Sequence, residues 1–574
     1  MRNKTVISAR FESVFIASTV SMVSAYILIL TDNVVAGQVV GADAVAAMTL
    51  VFPLFTFLLF VSYIIADGLV MMASYAQGRE DREEVNRLFS LGIILSVSSG
   101  IFFFAAGLLF KDEILSFWEI SDQLTNFAGD YYDGLIFLSP IIFANIFIYT
   151  IFMAEGLENV CVKASVVAFV VNVSLDIILC RLIGITGIGL ATTSGTLASL
   201  IVQIYFIASG QTQLHFKKYW SLKKTLQGIL YSFYHSVDTL CISILPVLLS
   251  VATIENFGEE RVIIVTVAVN LITLIIAIYT GLVDCLQPMI CQYHAEKNLH
   301  SVKKTMSLGI KATVALSLIM TFAGIIFADF LPAMFGVEDE TLANEAAEAM
   351  KFFLPFTTFL GVTLIYANYY IYIEEMNFGA VVKIILLSVM PFVGMKIGGN
   401  FSVNIFWLCV GSSFAVSFAL NFVAVKFFGR RNNLLLIDKN ILNRQLSYDI
   451  NTNFDEVMNL TRRAEKDLSV LGIDCKIRDE IILLIEKIGL HAVERAGEKI
   501  FRLEVSILLD EGITLIIRDN GEPCDIIKSA DEKNFNFREI FTEGTTSNIV
   551  DKNYLASGDE NRLILKFERR SENV

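Results

Sequence analysis

Apolar residues fill twelve windows of about 20 positions, the length that crosses a bilayer's hydrocarbon core as a helix. They lie near residues 12–31, 44–74, 88–110, 132–153, 160–182 and 185–208. Six more lie near 236–255, 260–291, 308–328, 350–372, 380–398 and 402–425, and each of the twelve predicts a transmembrane helix. After residue 433 the pattern changes: 434–574 is charged throughout and holds no spanning run. There the spacing predicts helices near 454–471 and 476–497 and strands near 500–509 and 512–519. A turn at DNGEP (519–523) and a last strand over 562–568 complete a soluble α/β domain.

The pattern also repeats. Shifted by 217 positions, DGLVMMASYAQGREDREEVNRLFSLGI (67–93) lies without a gap on DCLQPMICQYHAEKNLHSVKKTMSLGI (284–310), with eight of 27 positions identical. Asp67 and Asp284 are one identical pair, and Gly41/Gly258, Gly107/Gly324 and Asp112/Asp329 match in the same register. Two six-helix lobes of equal topology follow, residues 1–215 and 216–433, related by a pseudo-twofold axis along the membrane normal. Such parallel repeats suit a transporter, because a central cavity can open to either side as the lobes rock.

Composition agrees. The 574 residues are 55% hydrophobic and 18% charged, with a mean hydropathy of +0.63, values of a polytopic membrane protein. The net charge of −14 speaks against a nucleic-acid partner. The run after MRNKTVISAR reaches Leu30 without a small-residue cleavage site, so it reads as the first transmembrane helix rather than a signal peptide. The eight cysteines avoid the longer outer loops and read as core thiols, not a disulfide framework. Eighteen Lys and Arg fall on one side of the spans, Lys383 counted among them, against five on the other. The expectation is a plasma-membrane protein with both termini cytoplasmic.

The repeat sorts the charges. Asp67 and Asp284, present in both lobes, are expected to cap helices or pair with the basic loops. Asp32 and Asp176 have no acidic twins: their counterparts are Leu249 and Lys396. A carboxylate at membrane depth costs about 2.5–3.5 kcal/mol, so its retention calls for a reason. Asn172 precedes Asp176 by four residues and shares its helix face. Two carboxylates with an amide and a hydroxyl nearby can hold a proton or give oxygen ligands to Na⁺. The plainer readings place Asp32 in the outer headgroup layer and pair Asp176 with Arg181. Glu155, Glu158, Glu374 and Glu375 are expected to be solvated. The 45 phenylalanines are expected to pack helices and face lipid rather than line a cavity for flat cations.

TDNVVAGQVVGADAVAAMTLVFP (31–53), NVSLDIIL with GITGIGLATTSG (184–195), and LVDCLQPMICQYHAEKN (282–298) resemble the multidrug and toxin extrusion (MATE) transporters over roughly residues 10–430. The resemblance implies export of organic, cationic or amphipathic compounds in exchange for H⁺ or Na⁺. It also implies a coupling site at Asp32, Asn172, Asp176 and Thr192. Many members carry a kinking proline in the first helix, whereas residues 12–31 hold none.

The soluble segment resembles the histidine-kinase-type ATPase fold, closest to the anti-sigma-factor serine kinases. Asp519, Gly521 and Pro523 match the adenine-side motif Asp-x-Gly-x-Pro. His491 and Lys487 stand where the family has its Mg²⁺-holding asparagine and its glutamate, and the lid keeps only Gly544. The resemblance implies ATP as a ligand of Asp519 and Gly521 without hydrolysis, or a degenerate domain that contacts a cytoplasmic protein partner. A phosphoryl-transfer enzyme is not expected, since Mg²⁺ must neutralise the phosphates.

The expected architecture is therefore an all-α bundle of twelve transmembrane helices in two lobes, with a C-terminal ATPase-like α/β sandwich over 434–574. The expected partners are membrane lipid and a small organic substrate. Two other readings remain: a membrane sensor that signals through the C-terminal domain, and an exporter of lipid-linked precursors. The latter would want basic residues in its cavity, for which Lys396 is the main candidate.

Overall fold

The computed structural model describes residues 5–116, 122–334, 339–428, 434–496, 502–510, 512–522, 524–525, 527, 548–557 and 560–568. Among them are twelve helices long and apolar enough to cross a membrane. The first six spans are Val6–Val39, Asp43–Gly78, Arg82–Leu109, Leu124–Ala154, Glu158–Ile183 and Ile185–Ala208. The second six are Val237–Phe257, Val262–Ala295, Leu299–Ile326, Glu340–Tyr372, Met376–Gly398 and Val403–Phe427. The helices run longer than the apolar windows because capped, polar ends extend them beyond hydrocarbon depth.

The internal repeat is visible in the backbone. The third span, shifted by 217 positions, has the bounds of the ninth. Asp81 and Asn298 cap these two helices, each accepting from the backbone N–H three residues on. Glu80 and Lys297, one residue earlier, both hold positive φ, 66° and 60°. Gly41 and Gly258 make the matching turns at φ 125° and 92°, where a side chain would be strained.

The bundle turns its large apolar side chains outward. Phe102, Leu109, Leu182, Ile326 and Phe427 are among the most exposed, as a lipid-facing surface requires. Tyr279, Tyr293, Tyr369, Tyr370, Tyr372 and Trp407 fill the interior. An amphipathic helix absent from the window pattern, Leu222–His235, joins the lobes. It lies so close to the second span that a Cβ on Gly68 would sit 1.8 Å from the Gly228 carbonyl oxygen.

The C-terminal domain is a five-stranded antiparallel sheet. Its strands are β1 (Gln445–Asn451), β2 (Arg502–Leu509), β3 (Ile513–Asp519), β4 (Ile549–Ser557) and β5 (Glu560–Phe567). They lie in the order β1-β2-β3-β5-β4. Helices Phe454–Val470 and Cys475–Ala496 cover one face, packing Leu460, Leu468, Ile481 and Ile485 on Val505, Ile507, Leu515, Ile517 and Leu565. β1 and β4 fell outside the strands read from the sequence. Pro523 and Gly544 lie outside the described residues.

Several expectations are corrected. All eight cysteines are free, but Cys475 is exposed rather than in the core. Glu155 and Glu158 are buried, each 3% exposed. Glu155 takes two hydrogen bonds from Arg82, at 2.7 and 2.8 Å, so its charge is neutralised by an ion pair instead of by solvent. Lys383, counted as a loop cation, is 0% exposed.

Candidate functional site

Asp32 on the first span, Asn172 and Asp176 on the fifth and Thr192 on the sixth come together inside the first lobe. Gly184, at φ 68°, turns the chain between the fifth and sixth spans. Gly195 lets those helices close: a Cβ there would meet the Ala168 carbonyl and the Asn172 Cβ, each at 2.9 Å. Thr192 Oγ1 donates to Asp32 Oδ2 at 3.3 Å, and Asn172 Nδ2 donates to Thr192 Oγ1 at 3.3 Å. Asp176 is 0% exposed, Asn172 2% and Asp32 7%. The two carboxyls are near enough to act on each other electrostatically, and both act on Tyr131 of the fourth span.

Four buried oxygens here find no partner among the described residues: Asp32 Oδ1, Asn172 Oδ1 and both of Asp176. Two adjacent carboxylates in low dielectric cannot both stay bare, because desolvation and mutual repulsion disfavour the doubly charged state. A proton shared between them, or a small hard cation among the oxygens, relieves both penalties. The plainer readings find no support. Asp32 is buried, and Arg181, exposed, makes no ion pair with Asp176 among the described residues.

Asp67 and Asp284, alike in sequence, have unlike surroundings, and neither meets a basic loop. Asp67 Oδ2 lies 3.3 Å from His235 Nδ1, whose Nε2 is 3.0 Å from the Tyr372 hydroxyl. Lys383 donates to the His235 carbonyl and pairs with Asp238 at 3.2 Å. Asp284 instead lines a cavity of about 240 Å³ between the lobes. The repeat makes the twins' backbones equivalent, but the linking helix brings His235 within hydrogen-bond distance of Asp67.

The second face of the C-terminal sheet is buried against the bundle by charged residues. Arg518, 0% exposed, pairs with Glu296 of the eighth-to-ninth span loop and with Glu560 at 3.1 Å, and stacks over the Tyr293 ring at 5.0 Å. Arg562 pairs with Glu296 and donates to the Gln77 carbonyl of the second span at 2.7 Å. Arg10 of the first span reaches Glu560 at 2.9 Å and Gln292 of the eighth at 3.0 Å. Lys566 pairs with Glu80, and Lys297 with Asp510 at 2.6 Å. The domain thus bonds the repeat-related ends of both lobes at once. Only the alternation of Glu504 and Ser506 with apolar neighbours hinted at this face, and such positions read as solvent-facing.

At the adenine-side motif, Asp519 Oδ1 already takes Arg495 at 2.7 Å, Asn561 Nδ2 at 2.9 Å and the Gly521 N–H at 2.8 Å. A nucleotide reaching Oδ1 of Asp519 would compete with Arg495, a residue the sequence reading passed over.

Comparison with known proteins places the bundle. A family model described as MatE matches residues 17–178 and 236–395, once in each lobe. "Probable multidrug resistance protein YoeA" of Bacillus subtilis (strain 168) is 24% identical over 196 residues, covering 33% of this chain and 42% of that protein. Among solved structures, one described as the outward-facing conformation of a multidrug resistance MATE family transporter of the MOP superfamily superposes with TM-score 0.67 at 19% identity. It covers 74% of this chain and 96% of that one. A MOP superfamily transporter from Pyrococcus furiosus Vc1 (DSM3638), described as having a binding pocket of reverse polarity, gives TM-score 0.67 at 19% identity, covering 73% and 94%. At these identities the likeness is one of fold.

Proposed function

This chain belongs to the MatE family, and from that premise we propose that it is a multidrug-type antiporter. It exports organic cationic or amphipathic compounds in exchange for H⁺ or Na⁺, with Asp32 and Asp176 carrying the coupling ion and Asn172 and Thr192 orienting them. The observation that carries this reading is the cluster of four unpartnered oxygens, three on the adjacent Asp32 and Asp176 carboxyls and one on the Asn172 amide, inside the first lobe. An ion that neutralises the pair changes the lobe's internal charge, and differential binding to two lobe arrangements is what shifts a conformational equilibrium. The excess of basic residues on one side of the spans supports a cytoplasmic location for both termini and the C-terminal domain. The cavity lining holds no Lys or Arg, and Lys396 is exposed beside Glu255. Both facts favour a cationic cargo over an anionic lipid-linked precursor.

The test is dye efflux from proteoliposomes of the full-length protein under an imposed H⁺ or Na⁺ gradient. Movement under one gradient and not the other names the ion. No movement under either, with insertion verified, overturns the antiporter reading in favour of a membrane sensor.

In this proposal the C-terminal domain regulates by bridging the lobes rather than by nucleotide chemistry. Its docking is sensitive to pH through Glu504, on the sheet face that meets Ser301. Burial pushes this carboxyl from 4.5 up to about 7, against the pull of Arg518. Between those values the docked state holds a proton that the released, solvated chain does not, so docking weakens as pH rises towards 7. Urea-induced release of the domain, followed by limited proteolysis, is expected at lower urea at pH 8 than at pH 5.5. Glu504→Gln should remove most of that difference.

A further inference from the structure

We propose that the segment joining the lobes, residues 216–235, is a docking surface for anionic phospholipid of the leaflet on the C-terminal domain's side. Lys217, Lys218 and Lys223 hold the headgroup, and the bound lipid steadies the junction of the two lobes. This surface is independent of which ion or cargo the bundle moves.

The linking helix Leu222–His235 carries two stripes. Thr225, Gly228, Ser232 and His235, spaced three and four apart, are buried against the bundle. Leu222, Leu226, Ile229, Leu230 and Phe233 form the second stripe on a neighbouring face and are 41–62% exposed. Such a stripe is unfavourable in water and is covered when the helix lies among headgroups and acyl chains. The helix runs to that depth. Its first turn is level with the start of the third span, where Lys224 pairs with Glu84 at 2.6 Å. Its last turns reach Asp67 and Gly68. Gly68 is ten residues before the second span ends at Gly78, about 15 Å along the axis at a rise of about 1.5 Å per residue.

Charge selects the lipid. The chain enters the helix through FKKYW, residues 216–220. Phe216 and Trp220 are exposed, as aromatic side chains at a headgroup layer are. Around them Lys217, Lys218, Lys223, Lys224 and Arg87 stand against two acids, Glu83 and Glu84. Arg87 takes Glu83 at 2.6 Å and Lys224 takes Glu84, while Lys217 comes no nearer to Glu83 than 3.9 Å. Lys218 and Lys223 are exposed and make no ion pair among the described residues. Lysines left over beside an apolar stripe match a phosphate joined to acyl chains. A zwitterionic head brings its own ammonium against them, and a free phosphate would leave the stripe uncovered.

The lipid's hold reaches the lobe junction because the helix bonds both lobes. In the first lobe Ser232 Oγ accepts from the Gly68 N–H at 2.6 Å, and His235 Nδ1 lies 3.3 Å from Asp67 Oδ2. In the second lobe His235 Nε2 lies 3.0 Å from the Tyr372 hydroxyl, and the Tyr234 hydroxyl donates to Asn377 Oδ1 at 2.7 Å. A headgroup that pins the first turn therefore restrains the one helix to which both lobes are tied.

Quenching of Trp220 by brominated phospholipid tests the surface in nanodiscs of the full-length protein, with Trp220→Phe giving the signal of the other tryptophans. Dibromo-phosphatidylglycerol is expected to quench with at least about fivefold preference over dibromo-phosphatidylcholine, the factor for one lysine at an anionic surface. Replacing Lys217, Lys218 and Lys223 together by Gln should bring the preference to within about twofold, and replacing them by Arg should keep it. Equal quenching by the two lipids in the wild type, or a preference unchanged in the Gln variant, overturns the lipid assignment. So does relief of quenching by millimolar glycerol phosphate, which would give the lysines to a soluble phosphate. Crosslinking of two copies through Leu226→Cys would give the face to a second copy of this chain and overturn it as well. Amide exchange of residues 222–235 should be at least about threefold slower in phosphatidylglycerol than in phosphatidylcholine discs. Equal exchange with the lipid preference intact overturns the link to the lobe junction.

Discussion

Asp176→Asn is expected to insert and fold normally and to abolish ion-driven efflux, lowering the initial rate in proteoliposomes by about 100-fold or more. That is the scale on which a two-state equilibrium collapses when its driving ligand loses differential affinity. Asparagine keeps the shape of the side chain and cannot ionise, so the helix packing around Gly195 is preserved while the titrating oxygen pair is lost. The variant should be at least as heat-stable as the wild type, because it removes a buried carboxylate with no partner among the described residues. Asp32→Asn should match it. The double variant should be no worse than either single, since two residues that share one ion act as a unit rather than additively. An efflux rate for Asp176→Asn within twofold of wild type would return this residue to a packing role and leave coupling to Asp32.

How far the sequence could be read depended on the distance over which its signals act. Helix existence is local, so every apolar window became a span, and the 217-residue repeat reappeared as matched caps at Asp81 and Asn298. Asp32, Asn172, Asp176 and Thr192 were singled out because charge at membrane depth is conspicuous in sequence, and they do meet. What escaped was pairing across lobes. Nothing near Asp284 in the chain says that His235, brought in by the linking helix, would go to its twin. Glu155 sits in a loop and was read as solvated, but Arg82 folds back onto it. The sheet's buried arginines escaped for the same reason. Arg518 and Arg562 stand at alternating positions that normally face water, and the bundle's Glu296, which both share, helps make their burial tolerable.

Glu296→Arg is expected to release the C-terminal domain from the bundle. Glu296 is the acid that both Arg518 and Arg562 share, and removing one partner of a buried ion pair typically costs about 3–5 kcal/mol because the other is left uncompensated. Reversing the sign places three cations together and should cost more. A bismaleimide crosslink between Lys297→Cys and Asp510→Cys, whose parent side chains approach to 2.6 Å, should form in an otherwise cysteine-free protein and fail in the Glu296→Arg background. The consequence for transport follows from which groups the domain holds. Arg562 bonds the Gln77 carbonyl at the end of the second span and Glu296 beyond the end of the eighth, and these lie at the repeat-related ends of opposite lobes. Opening the cavity towards this side requires those ends to part, so the docked domain opposes opening and the released one does not. Turnover in Glu296→Arg should therefore rise several-fold, and the crosslink, formed in the parent background, should slow it. Slower transport by the released protein than by the wild type would overturn the restraint reading, because bonds that hold two ends together can only hinder their separation.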